Sequence, residues 1–295
     1  MKVIENRKIW FIISLVIIVA GFVSLIFRGL NYDIEFAGGT IIQIDMHQEL
    51  ESHDDLTQLV KDITGDSNPQ IQEVSGNLGE NHIQIKVKEI TPDTITALYQ
   101  AIAEKYGLDT AGKTDLLEQS SISPIISSEM KRAAIISTAI AGVLMLIYIT
   151  VRFRDICFGL GALIPLIHDC LVVISMYTIL QIPVNNTFIV ALLTIVGYSI
   201  NNTIVVFDRI RENRPVYRAH ELDRLCDDSI MQTLGRSLGT SFTTIVMILL
   251  LFILGVQSLR WFALPLLVGM IAGTYSSLFI ASPVWYLLEQ KIHKA

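Results

Sequence analysis

With 295 residues, 52% of them hydrophobic and only 17% charged, and a mean hydropathy of +0.53, the chain carries more apolar side chains than one water-facing fold can hide. These figures exclude a soluble single-core protein and define an integral membrane protein. The net charge of -6 is small, and its uneven distribution along the chain is more informative than its sum.

Lys2, Arg7 and Lys8 precede the first apolar run, Ile9 to Phe27. A basic start before an apolar stretch is also how a signal peptide begins. This stretch is too long, however, and no A-x-A cleavage site follows, so it reads as a retained membrane helix. Leu30 to Met130 then contains no spanning run. It holds 18 acidic residues against five Lys or Arg, a net of -13 that leaves the remainder of the chain at +7. An acidic domain of this kind argues against nucleic acid as a partner, and solubility of an exposed domain accounts for the charge.

Inside that domain, Thr40 to Met46 alternates as a half-buried strand and Asp54 to Ile63 has helical spacing. Gln70 to Val74 and His82 to Val87 alternate again. Pro92 opens a helix that continues through Leu98, Ile102 and Tyr106 until Gly107, and Leu116 to Ile122 supplies a last strand. The order β-α-β-β-α-β predicts an α+β ferredoxin-like domain, and about 100 residues suffice for a small core of its own. Gly38 and Gly39, just after Phe36, permit positive φ or close packing where the first helix meets this domain. Both a hinge and an ordinary tight turn fit them.

Five more runs are long enough to cross a hydrocarbon core of roughly 30 Å. They are Ala133 to Val151, Ile156 to Leu180, Val184 to Phe207, Leu238 to Val256 and Phe262 to Leu288. The short loops on one side carry Arg152 and Arg154, then Arg209, Arg211, Arg214, Arg218 and Arg224, then Lys291 and Lys294. The other side carries only Arg260. The positive-inside rule therefore places both termini in the cytoplasm and the acidic domain outside. The predicted organisation is a first helix over 1–29, the domain over 30–130, and a five-helix bundle over 131–295 with a cytoplasmic segment at 208–237.

Cys157, Cys170 and Cys226 all fall outside the exported domain, so no disulfide framework is expected. Cys157 and Cys170 are 13 residues apart on one helix, roughly 20 Å. Neither C-x-x-C nor H-E-x-x-H spacing occurs, so neither a metal nor a cofactor is expected.

Two places break the apolar pattern sharply. In Gly197 to Pro215 (GYSINNTIVVFDRIRENRP) the consecutive polar side chains Tyr198, Ser199, Asn201, Asn202 and Thr203 must face protein or water, because each costs energy if left unpaired in lipid. The other is His168-Asp169. Asp169 lies 13 residues into its helix, roughly 20 Å deep and near the midplane, where a carboxylate needs a donor. Neighbouring residues point about 100° apart, so no dyad is expected and His168 reads as a core or interfacial histidine. Asp208, Arg209, Arg211 and Glu212 are expected to form a short amphipathic surface segment with an Asp208-Arg211 ion pair. Gly235 and Gly239, Gly269 and Gly273, and Gly142 supply small-residue gaps for helix packing.

Four motifs then occur in order: Tyr32 to Thr40 (YDIEFAGGT), His168-Asp169, Gly197 to Asn213 (GYSINNTIVVFDRIREN) and Leu234 to Thr244 (LGRSLGTSFTT). In sequence and topology they resemble the SecF family, accessory subunits of the bacterial protein-export channel that form one half of an RND-type transporter. The resemblance implies a non-enzymatic protein of the bacterial cytoplasmic membrane, embedded in membrane lipids. It implies a complex with SecD, commonly also YajC, that uses the proton-motive force to help unfolded exported chains through the SecYEG channel. For Gly38 and Gly39 it implies a position that transmits domain motion. It also implies that an Asp, paired with the arginine of the following helix, carries protons where this chain has Asn202. The arginine matches Arg236. An amide cannot load or release a proton, so coupling falls to Asp169 or to the partner subunit. Arg236 could instead snorkel to the cytoplasmic surface. The alternatives are a non-coupling scaffold subunit or another RND-type half. An intramembrane enzyme built on His168 and Asp169 is disfavoured, since no nucleophile or metal motif accompanies them.

Overall fold

A computed structural model describes residues 2–47, 54–67, 69–75, 81–109, 114–218, 220–255 and 257–292, so Lys294 lies outside the described residues. Along the chain the elements are α1 (Arg7–Arg28), α2 (Ile34–Ala37), β1 (Gly39–Asp45), α3 (Asp54–Thr64), β2 (Gln70–Ser75), β3 (Asn81–Val87), α4 (Pro92–Tyr106) and β4 (Leu116–Ile122). There follow α5 (Pro124–Phe153), α6 (Ile156–Leu180), α7 (Asn186–Asn213), a 3-10 turn (Arg214–Val216), α8 (Leu222–Leu254), α9 (Gln257–Phe279) and α10 (Ala281–Ile292). The chain divides into two compact units, one of residues 1–31, 135–255 and 259–295, the other of residues 32–134 and 256–258.

Among the described residues of the first unit, six helical stretches are long and apolar enough to cross a membrane, making this a multi-pass membrane protein. They are not equivalent. In α6 61% of the most apolar window is buried, against 11% in both α1 and α8 and 6% in the α5 span, so α6, α7 and the last span form the centre and the others an outer layer. The last span is two helices, α9 and α10, interrupted at Ile280. Pro283 has no N–H to donate one turn back, which breaks the ladder there. Ile280 N–H still reaches the Ser276 carbonyl at 2.9 Å, and Val284 N–H reaches Ile280 at 3.0 Å, so the axis continues past the break.

One end of the unit is fastened by aromatic packing. Phe158 stacks on Phe153 with centroids 5.0 Å apart, meets Phe207 edge-on at 5.1 Å and lies 5.1 Å from Trp285, tying α5, α6, α7 and α10. The N-terminal residues join this end: the backbone N–H groups of Val3 and Ile4 donate to Asp227 Oδ1 at 2.9 and 3.0 Å. The charged motif Asp208 to Glu212 does not form a separate surface segment. The α7 ladder runs unbroken to Asn213, so these residues occupy its last turns, and Pro215 closes the chain into the 3-10 turn.

The second unit is an antiparallel sheet in the order β2-β3-β1-β4, with α3 joining β1 to β2 and α4 joining β3 to β4. Strand alternation turns Ile42, Ile44, Ile83, Ile85 and Val87 inward onto Leu56, Val60, Leu98, Tyr99 and Ile102 of the two helices. The limits of α4 follow from its ends: the Thr91 hydroxyl accepts from Thr94 N–H at 3.3 Å, Pro92 opens the first turn, and Gly107 closes the helix with φ +74°.

Candidate intramembrane polar site

Asp169 is buried in α6, and donors from three elements converge on it. Its Oδ2 accepts the hydroxyls of Ser199 on α7 at 2.5 Å and Ser276 on α9 at 2.8 Å, while His168 Nδ1 lies 2.9 Å from Oδ1. The other ring nitrogen, Nε2, is 2.9 Å from the hydroxyl of Ser14 on α1. Both ring nitrogens of His168 are used, one on the carboxylate and one on the Ser14 hydroxyl. Four helices are thus joined through the His168-Asp169 pair.

The pairing of His168 with Asp169 corrects the expectation that neighbours would not meet. Their Cβ atoms diverge by about 100°, yet the imidazole is long enough to turn Nδ1 back along α6. Around this centre a second layer stitches α7 to α9. Ser277 donates to the Ser199 carbonyl at 3.2 Å, and Thr203 lies 3.0 Å from the Ser277 hydroxyl. Gly269 and Gly273 allow that approach: a Cβ at Gly269 would sit 2.3 Å from Ile195 Cδ1, and one at Gly273 3.0 Å from Ser199 Cβ.

Asn202 lies one turn further along α7 than Ser199 and meets a different helix. Buried, it donates from Nδ2 to the Ser241 hydroxyl at 3.2 Å, and Thr274 donates to the same hydroxyl at 2.8 Å. Arg236 is not its partner. That side chain is exposed on α8 beside exposed Gly235, Gly239 and Thr240, and among the described residues it has no ion-pair partner. Asn201 is exposed as well, whereas Tyr198 is half-buried with its hydroxyl enclosed and without a hydrogen-bond partner among the described residues. The structure therefore gathers His168, Asp169 and Asn202 inside the unit and leaves Arg236 and Asn201 outside.

At the end of α7, Arg209 pairs with Glu212 at 2.6 Å, while Asp208 lies 3.4 Å from Arg211 and 3.6 Å from Arg152. Arg214 is ion-paired to Glu289 of α10 and lies 3.6 Å from Asp155, which caps α6 by accepting the Cys157 N–H at 2.8 Å. Asp155, Cys157 and Glu289 bring ligand atoms within 4.8 Å of one another, but the Arg214 guanidinium balances both carboxylates, and the cluster is explained as a tie between α6, α7 and α10.

In the second unit, Gly38 and Gly39 have φ of +79° and +155°. A Cβ on Gly39 would meet the Val87 carbonyl at 2.3 Å, so only glycine fits there. Phe36 is buried beside them, and buried Asp33 caps α2 through Ile34 N–H at 2.7 Å while accepting Lys86 Nζ at 2.7 Å.

Ser14, Ser276, Ser277, Ser241 and Thr274 went unremarked in the sequence. Ser14 is an isolated polar residue in the first apolar run, and Ser276-Ser277 is a polar pair in the last, a signal of the same kind as His168-Asp169 but weaker per residue.

With this geometry in hand, comparison with known proteins is decisive. Residues 102–291 match the family described as Protein export membrane protein SecD/SecF, C-terminal. The chain belongs to the SecD/SecF family. A SecF-type relative, protein translocase subunit SecF of Anaerolinea thermophila, is 34% identical over 98% of this chain and 94% of its own length. Protein translocase subunit SecDF of Bacillus subtilis is 33% identical over 95% of this chain but 37% of its own length. The crystal structure of SecDF, a translocon-associated membrane protein, from Thermus thermophilus is similar with a TM-score of 0.84 and 30% identity, covering 99% of this chain and 39% of that one. This SecF-family chain therefore spans nearly all of the separate SecF relative and about two-fifths of the SecDF chains.

Proposed function

We propose that this chain is the SecF-type subunit of a Sec protein translocase, that it works with a SecD half in the bacterial cytoplasmic membrane, and that coupling to the proton-motive force passes through Asp169. The observation that carries the reading is the convergence of side chains from α7 and α9 on one buried carboxylate, with α1 tied to it through His168. A change in its charge alters hydrogen bonds to several helices at once, which is how a proton step can move a helix bundle.

The partner follows from the outer layer. Sparsely buried α5 and α8, with Gly142, Gly235 and Gly239 each opening on free space and Arg236 exposed among them, leave a helix face and a cation for another subunit to complete. The fusion of SecD and SecF in relatives supports SecD as that subunit. On this reading the termini are cytoplasmic, and residues 30–130 form an exported domain of the ferredoxin-like kind, supported by the strand order β2-β3-β1-β4 and two helical crossovers. Its junction at Phe36, Gly38 and Gly39 acts as a stiff handle that passes motion between helices and domain. SecYEG, YajC and unfolded exported chains are the expected further contacts, and no catalytic chemistry is assigned.

Asn202 favours a second reading. Its amide is satisfied by Ser241 without any proton, as in a subunit that scaffolds while SecD carries all coupling. Export of a reporter into inverted membrane vesicles separates the two. Asp169→Asn lowers the proton-gradient-dependent stage about tenfold or more, with SecD still co-purifying, if Asp169 couples. Unchanged export assigns this chain the scaffold role.

A further inference from the structure

We infer that the groove between α1, α6 and α9 holds a phospholipid from the leaflet on the Arg28 side, with one acyl chain in the groove and the phosphate on Arg28. The groove has a volume of about 570 Å³ and extends from Ser14 and His168 to Ile179 and Leu180. Its walls are apolar, formed by side chains such as Ile13, Ile17, Val172 and Ile271. From His168 to Leu180 is about 18 Å along a helix, a length that an extended acyl chain spans against these apolar walls.

Charge complementarity identifies the headgroup. Arg28 is exposed at the Leu180 end, and its Nη1 donates to the carbonyl of groove-lining Ile179 at 3.2 Å, which fixes the guanidinium at the mouth while its other donors stay available. A lipid phosphate is the anion that membrane geometry presents at that level. At the closed end the acyl chain would cover the His168-Ser14 pair and keep water from it. The site is argued from the groove and Arg28 alone, and stands whether or not Asp169 carries protons.

Photolabelling of the full chain in nanodiscs tests this, with phosphatidylglycerol bearing a diazirine on its acyl chain as probe and labelled peptides read by mass spectrometry. The outward face of α5 at Ile140 and Val143, exposed to the same lipid, is the internal reference. Expected are peptides of α6 and α9 labelled about fivefold or more above that reference, a return to reference level in the groove-filling variants Ile17→Trp and Ile271→Trp, and a loss of about fivefold in Arg28→Gln. Ile17 and Ile271 are themselves exposed, so the added ring meets groove rather than packed core, and unchanged α5 labelling certifies the fold. Groove labelling equal to α5, or an excess that survives all three substitutions, overturns the proposal. So does quantitative cross-linking of a cysteine at Ile17 to a helix of the partner subunit, which would assign the groove to protein.

Discussion

Ser199 and Asn202 are one helical turn apart on α7, yet they belong to opposite kinds of site. Ser199 donates to Asp169 inside a cluster that closes on itself, with donors, acceptors and an ionisable group all supplied by this chain. Asn202 donates to the Ser241 hydroxyl, and the helix that carries Ser241 turns Arg236 to an exposed face with no ion-pair partner among the described residues. The first site is complete and can titrate. The second is half of something, and its amide cannot titrate. Under the proposed function, the two sites divide the labour of the subunit: an ion-responsive centre within it, and a positively charged seam for the SecD half.

The comparison is broken most directly by removing each centre. Asp169→Leu takes the carboxylate acceptor from His168 and Ser199, Ser276 keeping the Gly273 carbonyl at 3.2 Å, and should destabilise the chain by about 3–5 kcal/mol, whereas Asn202→Leu should cost only about 1–3 kcal/mol. Unfolding in mixed micelles reads both, and equal losses would erase the distinction. Glycines sharpen it next. Gly269→Val drives a side chain into Ile195 and should cost about 1–3 kcal/mol of stability, while Gly239→Val, which opens on free space, should leave stability alone and reduce co-purification of the SecD half.

A water-facing counterpart gives the smallest effect. In the second unit His47 lies 3.0 Å from Asp115, a carboxylate held below its ordinary range chiefly by the Asp109 N–H and then by His47. Because the folded value is depressed, its stabilisation is present above the unfolded value of about 3.9 and is lost as pH falls through the folded one. Asp115→Asn should therefore remove part of the domain's acid sensitivity, costing about 1 kcal/mol at neutral pH in a pH series of denaturant unfolding. The same series on Asn202→Asp should show no such acid limb in this domain.

Much of this architecture was legible beforehand because periodicity and punctuation are local. Strand alternation in Thr40 to Met46, the Pro92 start and Gly107 stop of α4, and the apolar runs each depend on neighbours in sequence. Asp169 and Asn202 stood out for the same reason, as polar residues in apolar surroundings. What was hidden depends on distance or direction. Ser276 reaches Asp169 and Ser14 reaches His168 from helices at the two ends of the chain, and no pattern announces that convergence. The His168-Asp169 contact depends on rotamers, which helical spacing does not specify. The outward turn of Arg236 depends on how α8 is rotated, set by the burial of Ser229, Thr233, Ser237 and Ser241 on its inner face. The helical continuation of Asp208 to Glu212 was masked because charge there reads equally well as a surface segment.

The central claim is that Asp169 changes protonation as the machine works. Infrared difference spectroscopy on the SecD-containing complex in proteoliposomes, with the proton gradient switched on and off, observes carboxyl groups directly. A carboxyl band that responds to the gradient and disappears in Asp169→Asn but persists in Asn202→Asp is the predicted result. A gradient-responsive spectrum unchanged by Asp169→Asn would contradict the account and place the proton in the partner.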